Sequence, residues 1–261
     1  MVKKLISSLG SQTKWRLLSK AFLSAVVLFL ADSLSFSFFA VLGFLFIMLW
    51  VYLSEGSLRS EFKFSFWLNQ IVFLLALQDL SLIGGSSLFS VYLPVLFLAV
   101  YGIIMFFLLG LMNSVFPNKL FVYSLTSTVS IFSFFSVLFY RMPSFYEVTF
   151  LGELFWFLID FLVVFYMFRE FSGVTDFVTG KKMRAFGLSL GVILSEISAL
   201  VVLLPLGFLN AAAFLSLLFL IIRDVIFAKE NGFLNMSFVF REVTIFIVIS
   251  SVIFATVKWY I

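Results

Sequence analysis

The 261-residue chain contains no cysteine and no histidine. Structural disulfides are therefore impossible, and the thiol nucleophile, the commonest general base and the commonest metal ligand are all missing. A Ser-His-Asp hydrolase, a His-dependent intramembrane protease, a thiol transpeptidase and a Cys/His zinc site each lose an indispensable residue. Charge is scarce as well: Asp, Glu, Lys and Arg make up 11% of the chain, against roughly a quarter in a typical soluble domain. A water-soluble globule is excluded. What fills the space is apolar, 63% of residues including 40 phenylalanines. The expectation is an all-α polytopic integral membrane bundle without a soluble domain, a cofactor or a metal, and no enzyme. The net charge of +4 is too small to read as nucleic-acid binding, and in a membrane protein its distribution over the loops matters more than its sum.

A hydrocarbon core about 30 Å thick needs roughly 20 apolar residues per helix. Windows of that kind, separated by charged or turn-forming breaks, number nine: 17–33, 36–53, 65–83, 91–112, 120–140, 150–168, 184–204, 207–227 and 243–260. The first two share an apolar stretch of 34 residues, Ala21 to Ser54, or about 51 Å as one helix, too long for an ordinary span. The break at Asp32-Ser33 divides it into a hairpin. Lys and Arg collect in cytoplasmic loops, and nine spans with the N-terminus inside place 15 basic residues on the inner side and only Arg141 and Lys258 on the outer. Merging the first two spans would give 7 inside and 10 outside. The charge bias therefore selects the hairpin, with the N-terminus cytoplasmic, the C-terminus outside and a bacterial cytoplasmic membrane as the address.

Residues 1–20 carry five basic side chains, Lys3, Lys4, Lys14, Arg16 and Lys20, but no continuous apolar core, so no cleavable signal peptide is expected. Val2, Leu5, Ile6 and Leu9 fall at helical spacing, which fits either a short amphipathic helix on the cytoplasmic surface or a basic tail that only sets topology. The two longest inner loops, 169–184 and 223–242, are too short to build a core of their own. Any site must lie within the bundle or at its rim. Thr179-Gly180-Lys181-Lys182 lacks the glycine pattern of a phosphate-binding loop.

The residues that stand out are carboxylates at costly depth. Asp160 is about ten residues into the sixth span and Glu196 about twelve into the seventh, and consecutive spans usually adjoin. An Asp at a helix centre costs roughly 2.5 to 3.5 kcal/mol on insertion scales, which calls for partners. No Lys or Arg shares that depth, so neutral, hydrogen-bonding acids are the expected state. Glu153 precedes Asp160 by seven residues on the same helix face, and a line from Glu153 to Asp160 to Glu196 would make a proton or cation path. Alternatively each acid only fixes packing by bonding a neighbouring hydroxyl or carbonyl. The fifth span offers such hydroxyls in a seam of Thr126, Ser130 and Ser133, and the seventh carries small residues at strict four-residue spacing, Gly187, Gly191, Ser195 and Ala199. Small stripes let helices approach closely, inside the bundle or across a homodimer. Asn69, Gln70, Gln78 and Asp79 make the third span the least apolar, and it should be covered by protein or line a cavity. Arg223-Asp224 and Arg241-Glu242 are expected to pair with each other at the inner rim.

From Tyr92 onward the order of features resembles a family of uncharacterised multi-spanning membrane proteins of candidate-phylum bacteria, a domain of unknown function. The matching pieces are Leu93-Pro94 followed by Tyr101-Gly102, the hydroxyl-rich fifth span, Glu196 followed by Leu203-Leu204-Pro205, and Phe240-Arg241-Glu242 leading to a terminal helix with Trp259. The resemblance implies a multi-spanning architecture and nothing about reaction or ligand. Three functions compete on these residues: a proton- or cation-linked small-solute transporter using the carboxylates, a non-catalytic scaffold or subunit of a membrane complex, and, last, a lipid-linked enzyme, for which the dispersed acids offer no paired motif. No internal repeat of the kind common in transporters is visible.

Overall fold

The computed structural model describes residues 2–33, 38–54, 62–83, 89–113, 115–116, 118–141, 150–174 and 180–256. Among them are nine helices and no strand: α1 (Val2–Ser33), α2 (Phe38–Ser54), α3 (Lys63–Ile83), α4 (Phe89–Met112), α5 (Lys119–Arg141), α6 (Phe150–Val174), α7 (Gly180–Val202), α8 (Phe208–Glu230) and α9 (Met236–Ala255). Each expected span has its helix. Five of them, in α4, α5, α7, α8 and α9, are long and apolar enough to cross a membrane. Of the others, α2 has only 17 residues, α1 carries Lys14, Arg16, Lys20 and Asp32, and α3 carries its amides and Asp79. The outer turn Gly84-Gly85, residues 34–37 of the first hairpin and the C-terminal Lys258 and Trp259 lie outside the described residues.

The backbone of the basic N-terminal segment continues into the first apolar window as one helix of 32 residues, with no proline to break it. At about 48 Å this rod exceeds the hydrocarbon thickness.

Within what the sequence presents as one helical domain, the chain gathers into two compact units, Met1–Thr126 and Ser127–Ile261. In the first, α1 packs on α2 and α4, and α3 packs on α4. Lys20 donates to Ser54 Oγ at 2.7 Å and lies over the Trp50 ring, so α1 and α2 run antiparallel as the hairpin requires. Rings join α3 to α4, with Phe73 between Phe97 and Tyr101 at 4.9 and 5.2 Å.

In the second unit, α6 and α7 make the most extensive contact, α7 also meets α8, and α8 pairs with α9. The α8–α9 turn is legible residue by residue. Gly232 takes φ +72, the left-handed region where a side chain is strained, and Phe233 N–H closes the helix end onto Ala228 O at 2.9 Å. Asn235 then caps α9 by accepting from Phe238 N–H at 2.8 Å. The expected cross-pairing of the two Arg-acid couples is corrected: Arg223 binds Asp224 at 2.8 Å and Arg241 binds Glu242 at 2.7 Å, each its own neighbour in sequence.

The small stripe of α7 packs inside the chain. A Cβ on Gly191 would stand 2.8 Å from a Phe161 ring carbon and 3.2 Å from the Phe161 carbonyl oxygen, and one on Gly187 would meet Phe165 at 3.0 Å. Phe161 and Phe165 stack on each other along α6, their planes within 8°. Gly187, Gly191 and Ser195 are buried while Ala199 is exposed. Of the two contacts the stripe allowed, the one inside the bundle is present: α6 covers Gly187 and Gly191. In Gly191→Ala the alanine gains about 1 kcal/mol of helix propensity, but overpacking costs about 1–3 kcal/mol and a backbone oxygen cannot rotate away. The variant should melt at lower temperature in detergent. Gly43→Ala, whose Cβ would meet nothing within 4 Å, should melt at or above the native temperature.

Candidate functional site

In unit one the polar residues of α3 find their partners within the bundle. Asn69 and Gln70 are fully buried. Asn69 Nδ2 donates to Ser65 O at 2.6 Å, the carbonyl one turn back. Gln70 Nε2 reaches Phe66 O at 3.3 Å and Met105 Sδ at 2.9 Å, while its Oε1 accepts from the Tyr101 hydroxyl. Met48 of α2 places its sulfur 3.7 Å from that hydroxyl. This node ties α2, α3 and α4 together, as the polarity of the third span leads one to expect. With its hydrogen-bonding capacity met and water excluded, it reads as architecture.

Unit two holds the acid. Asp160 sits about 15 Å along α6 from Phe150, and it is 2% exposed. The Ser198 hydroxyl on α7 faces the carboxyl, yet neither Asp160 oxygen nor Ser198 Oγ has a hydrogen bond of ordinary geometry. The α6–α7 contact that buries Asp160 is the one set by Gly187 and Gly191. The sequence therefore both places the acid deep and closes a helix over it.

The other expected site residues are dispersed. Glu196 is exposed on α7 rather than buried beside Asp160, because the buried face of that helix is the one through Gly191, Ser195 and Ser198. The two acids are thus not enclosed together: Asp160 is covered by α7, and Glu196 lies on the open face of that helix. Glu153 belongs to α6 by its backbone, and its side chain lies outside the described residues. The hydroxyl seam of α5 is partly buried: Thr126 and Ser130 are enclosed and Ser133 is half-buried. Thr126 bonds back onto its own helix, to Val122 O and Tyr123 O, both at 3.0 Å, and Ser195 does the same to Gly191 O at 2.8 Å.

A residue that sequence reasoning placed at the rim is instead a buried junction. Arg223 on α8 is 3% exposed. Its Nη1 donates to Ser127 Oγ on α5 at 3.2 Å, its Nε to Asp224, and its guanidinium lies 4.6 Å from the centre of the Phe171 ring on α6. Phe171 in turn touches Phe227. One planar cation thus joins three helices, which fits a group that carries donors in its plane and stacks on its face. The signal available in the sequence was its position seven residues before the end of α8, about 10 Å inside.

Among the described residues no group of three or more acidic side chains is arranged to hold a metal ion. No protein-family model, no curated protein and no solved structure matches the chain.

The Arg223 junction has a measurable weight. Arg223→Met removes a charge-assisted hydrogen bond and a ring contact, and should cost roughly 2–4 kcal/mol of stability, with Arg223→Lys recovering only part. Thermal unfolding in detergent checks the order native, Lys, Met; equal midpoints for all three would refute the junction.

Proposed function

We propose that this chain is a proton- or cation-linked membrane transporter for small solutes, in which Asp160 is the intramembrane binding group. The observation that carries the reading is the carboxyl itself: enclosed by α6 and α7, with no basic partner and no hydrogen bond of ordinary geometry, only the Ser198 hydroxyl facing it. An apolar side chain would fill a dry helix contact without the roughly 2.5 to 3.5 kcal/mol that an Asp costs at depth. A purely structural acid would be expected to bond the α5 hydroxyl seam or a backbone group. Ser198, also unbonded, supplies a second oxygen for a bound cation or a partner for the protonated acid. On this reading all nine helices cross the membrane, with the N-terminus cytoplasmic, the C-terminus outside and the cytoplasmic membrane of a bacterium as the site.

One observation favours a second reading, a non-catalytic subunit of a larger membrane complex. Glu196 is exposed on α7 well inside the helix, where lipid would penalise it as it does any acid at depth. A partner helix bearing a donor would remove the penalty. The experiment that separates the two is proton and monovalent-cation flux in proteoliposomes. The transporter reading expects flux in the native protein, a loss of at least about tenfold in Asp160→Asn, equivalent to about 1.4 kcal/mol, and near-native flux in Glu196→Gln. A correctly folded native protein that passes neither protons nor cations under any gradient overturns it.

A further inference from the structure

Between α1 and α4 in unit one runs an apolar groove of about 650 Å3. Small residues make its floor, where a Cβ added at Gly102 would stand 3.8 Å from Ala25 Cβ, an ordinary contact distance. Its walls are aromatic, Phe22 from one helix and Phe106 from the other.

The length of the groove says what fits it. On α1 it extends from Leu18 to Phe29, a rise of about 16 Å along the helix. A single leaflet is half of the hydrocarbon core, about 15 Å. A partner helix crossing the whole membrane would need a groove about twice as long. An acyl chain from one leaflet matches it.

The charge at one end says which lipid. Lys14 and Trp15, both exposed, precede Leu18 by four and three residues, so they continue the groove's own face one turn beyond its apolar end. An indole and an ammonium at that level are the side chains that settle among headgroups. Lys14 therefore stands one turn past the apolar end of the groove, where the phosphate of a lipid whose chain lies in the groove would be. We propose that the α1–α4 groove retains an anionic phospholipid, one acyl chain lying along Ala25, Ala99 and Gly102 and its phosphate beside Lys14.

The test is native mass spectrometry of the full chain released from nanodiscs of equal phosphatidylglycerol and phosphatidylcholine. The native protein should retain phosphatidylglycerol about five-fold over phosphatidylcholine, the factor expected of one lysine beside an anionic headgroup. Lys14→Gln should bring the ratio to about one, and Lys14→Arg should keep it, because only the charge is at stake. Ala99→Phe, at an exposed groove position, should fill the space and reduce retention of both lipids with no change in melting temperature. If that variant melts early, Gly102→Val gives a second occlusion at the same place. Equal retention of the two lipids by the native protein overturns the proposal, as does full retention in a folded groove-filling variant. So does a native dimer that Ala99→Phe converts to monomer, which would make a second copy the occupant.

Discussion

Inside a bilayer a polar side chain has no water to fall back on, so each one must be satisfied by the chain that carries it or by something that the chain binds. Most hydroxyls and amides here meet the demand locally. Ser24, Thr126, Ser136 and Ser195 bond to carbonyls one turn back, and Asn69 does the same from a fully buried position. Gln70 cannot be satisfied by its own helix alone, and its remaining capacity goes to Tyr101 and Met105. The same demand turns the polar face of α3 inward, with Ser65, Asn69, Gln70 and Asp79 all buried. Arg223 meets it across three helices, through oxygen and a ring face. Asp160 is the acid that leaves the demand open, together with the hydroxyls of Ser198, Ser216 and Ser250, and the functional reading grows from that contrast.

Much of this was legible in the sequence, and the parts that were not share a cause. Span positions follow from hydropathy and turn residues, which act locally, and each of the nine expected spans has its helix. Burial of Asp160 followed from depth alone. Glu196 has comparable depth but lies on the other face of α7, and which face is covered depends on where Gly187 and Gly191 dock. The four-residue stripe pointed to a close helix approach without saying that Phe161 and Phe165 of α6 would provide it. Ala199 extends the stripe in sequence, but its position on α7 is exposed.

Arg223 shows the same limit from another side. A basic residue near a helix end usually reaches for water, and its neighbours Asp224 and Lys229 fit that picture. Burial came from Phe171 and Ser127, residues more than 50 positions away that no local pattern links to it. The first hairpin is the opposite case: a global count of basic residues favoured a local break at Asp32-Ser33, and the Lys20–Ser54 bond ties the end of α2 to the middle of α1.

The Arg223–Ser127 contact spans 96 positions, whereas α6–α7 and α8–α9 each join neighbours in the chain. During synthesis each of those local hairpins can pair once both of its helices are made, while Ser127 on α5 meets Arg223 only after α6, α7 and most of α8 have followed it. Until it docks, Arg223 has its adjacent Asp224 and no ring or hydroxyl around it. The junction therefore closes late: until α5, α6 and α8 have come together, Arg223 lacks both the hydroxyl and the ring that enclose it in the finished fold.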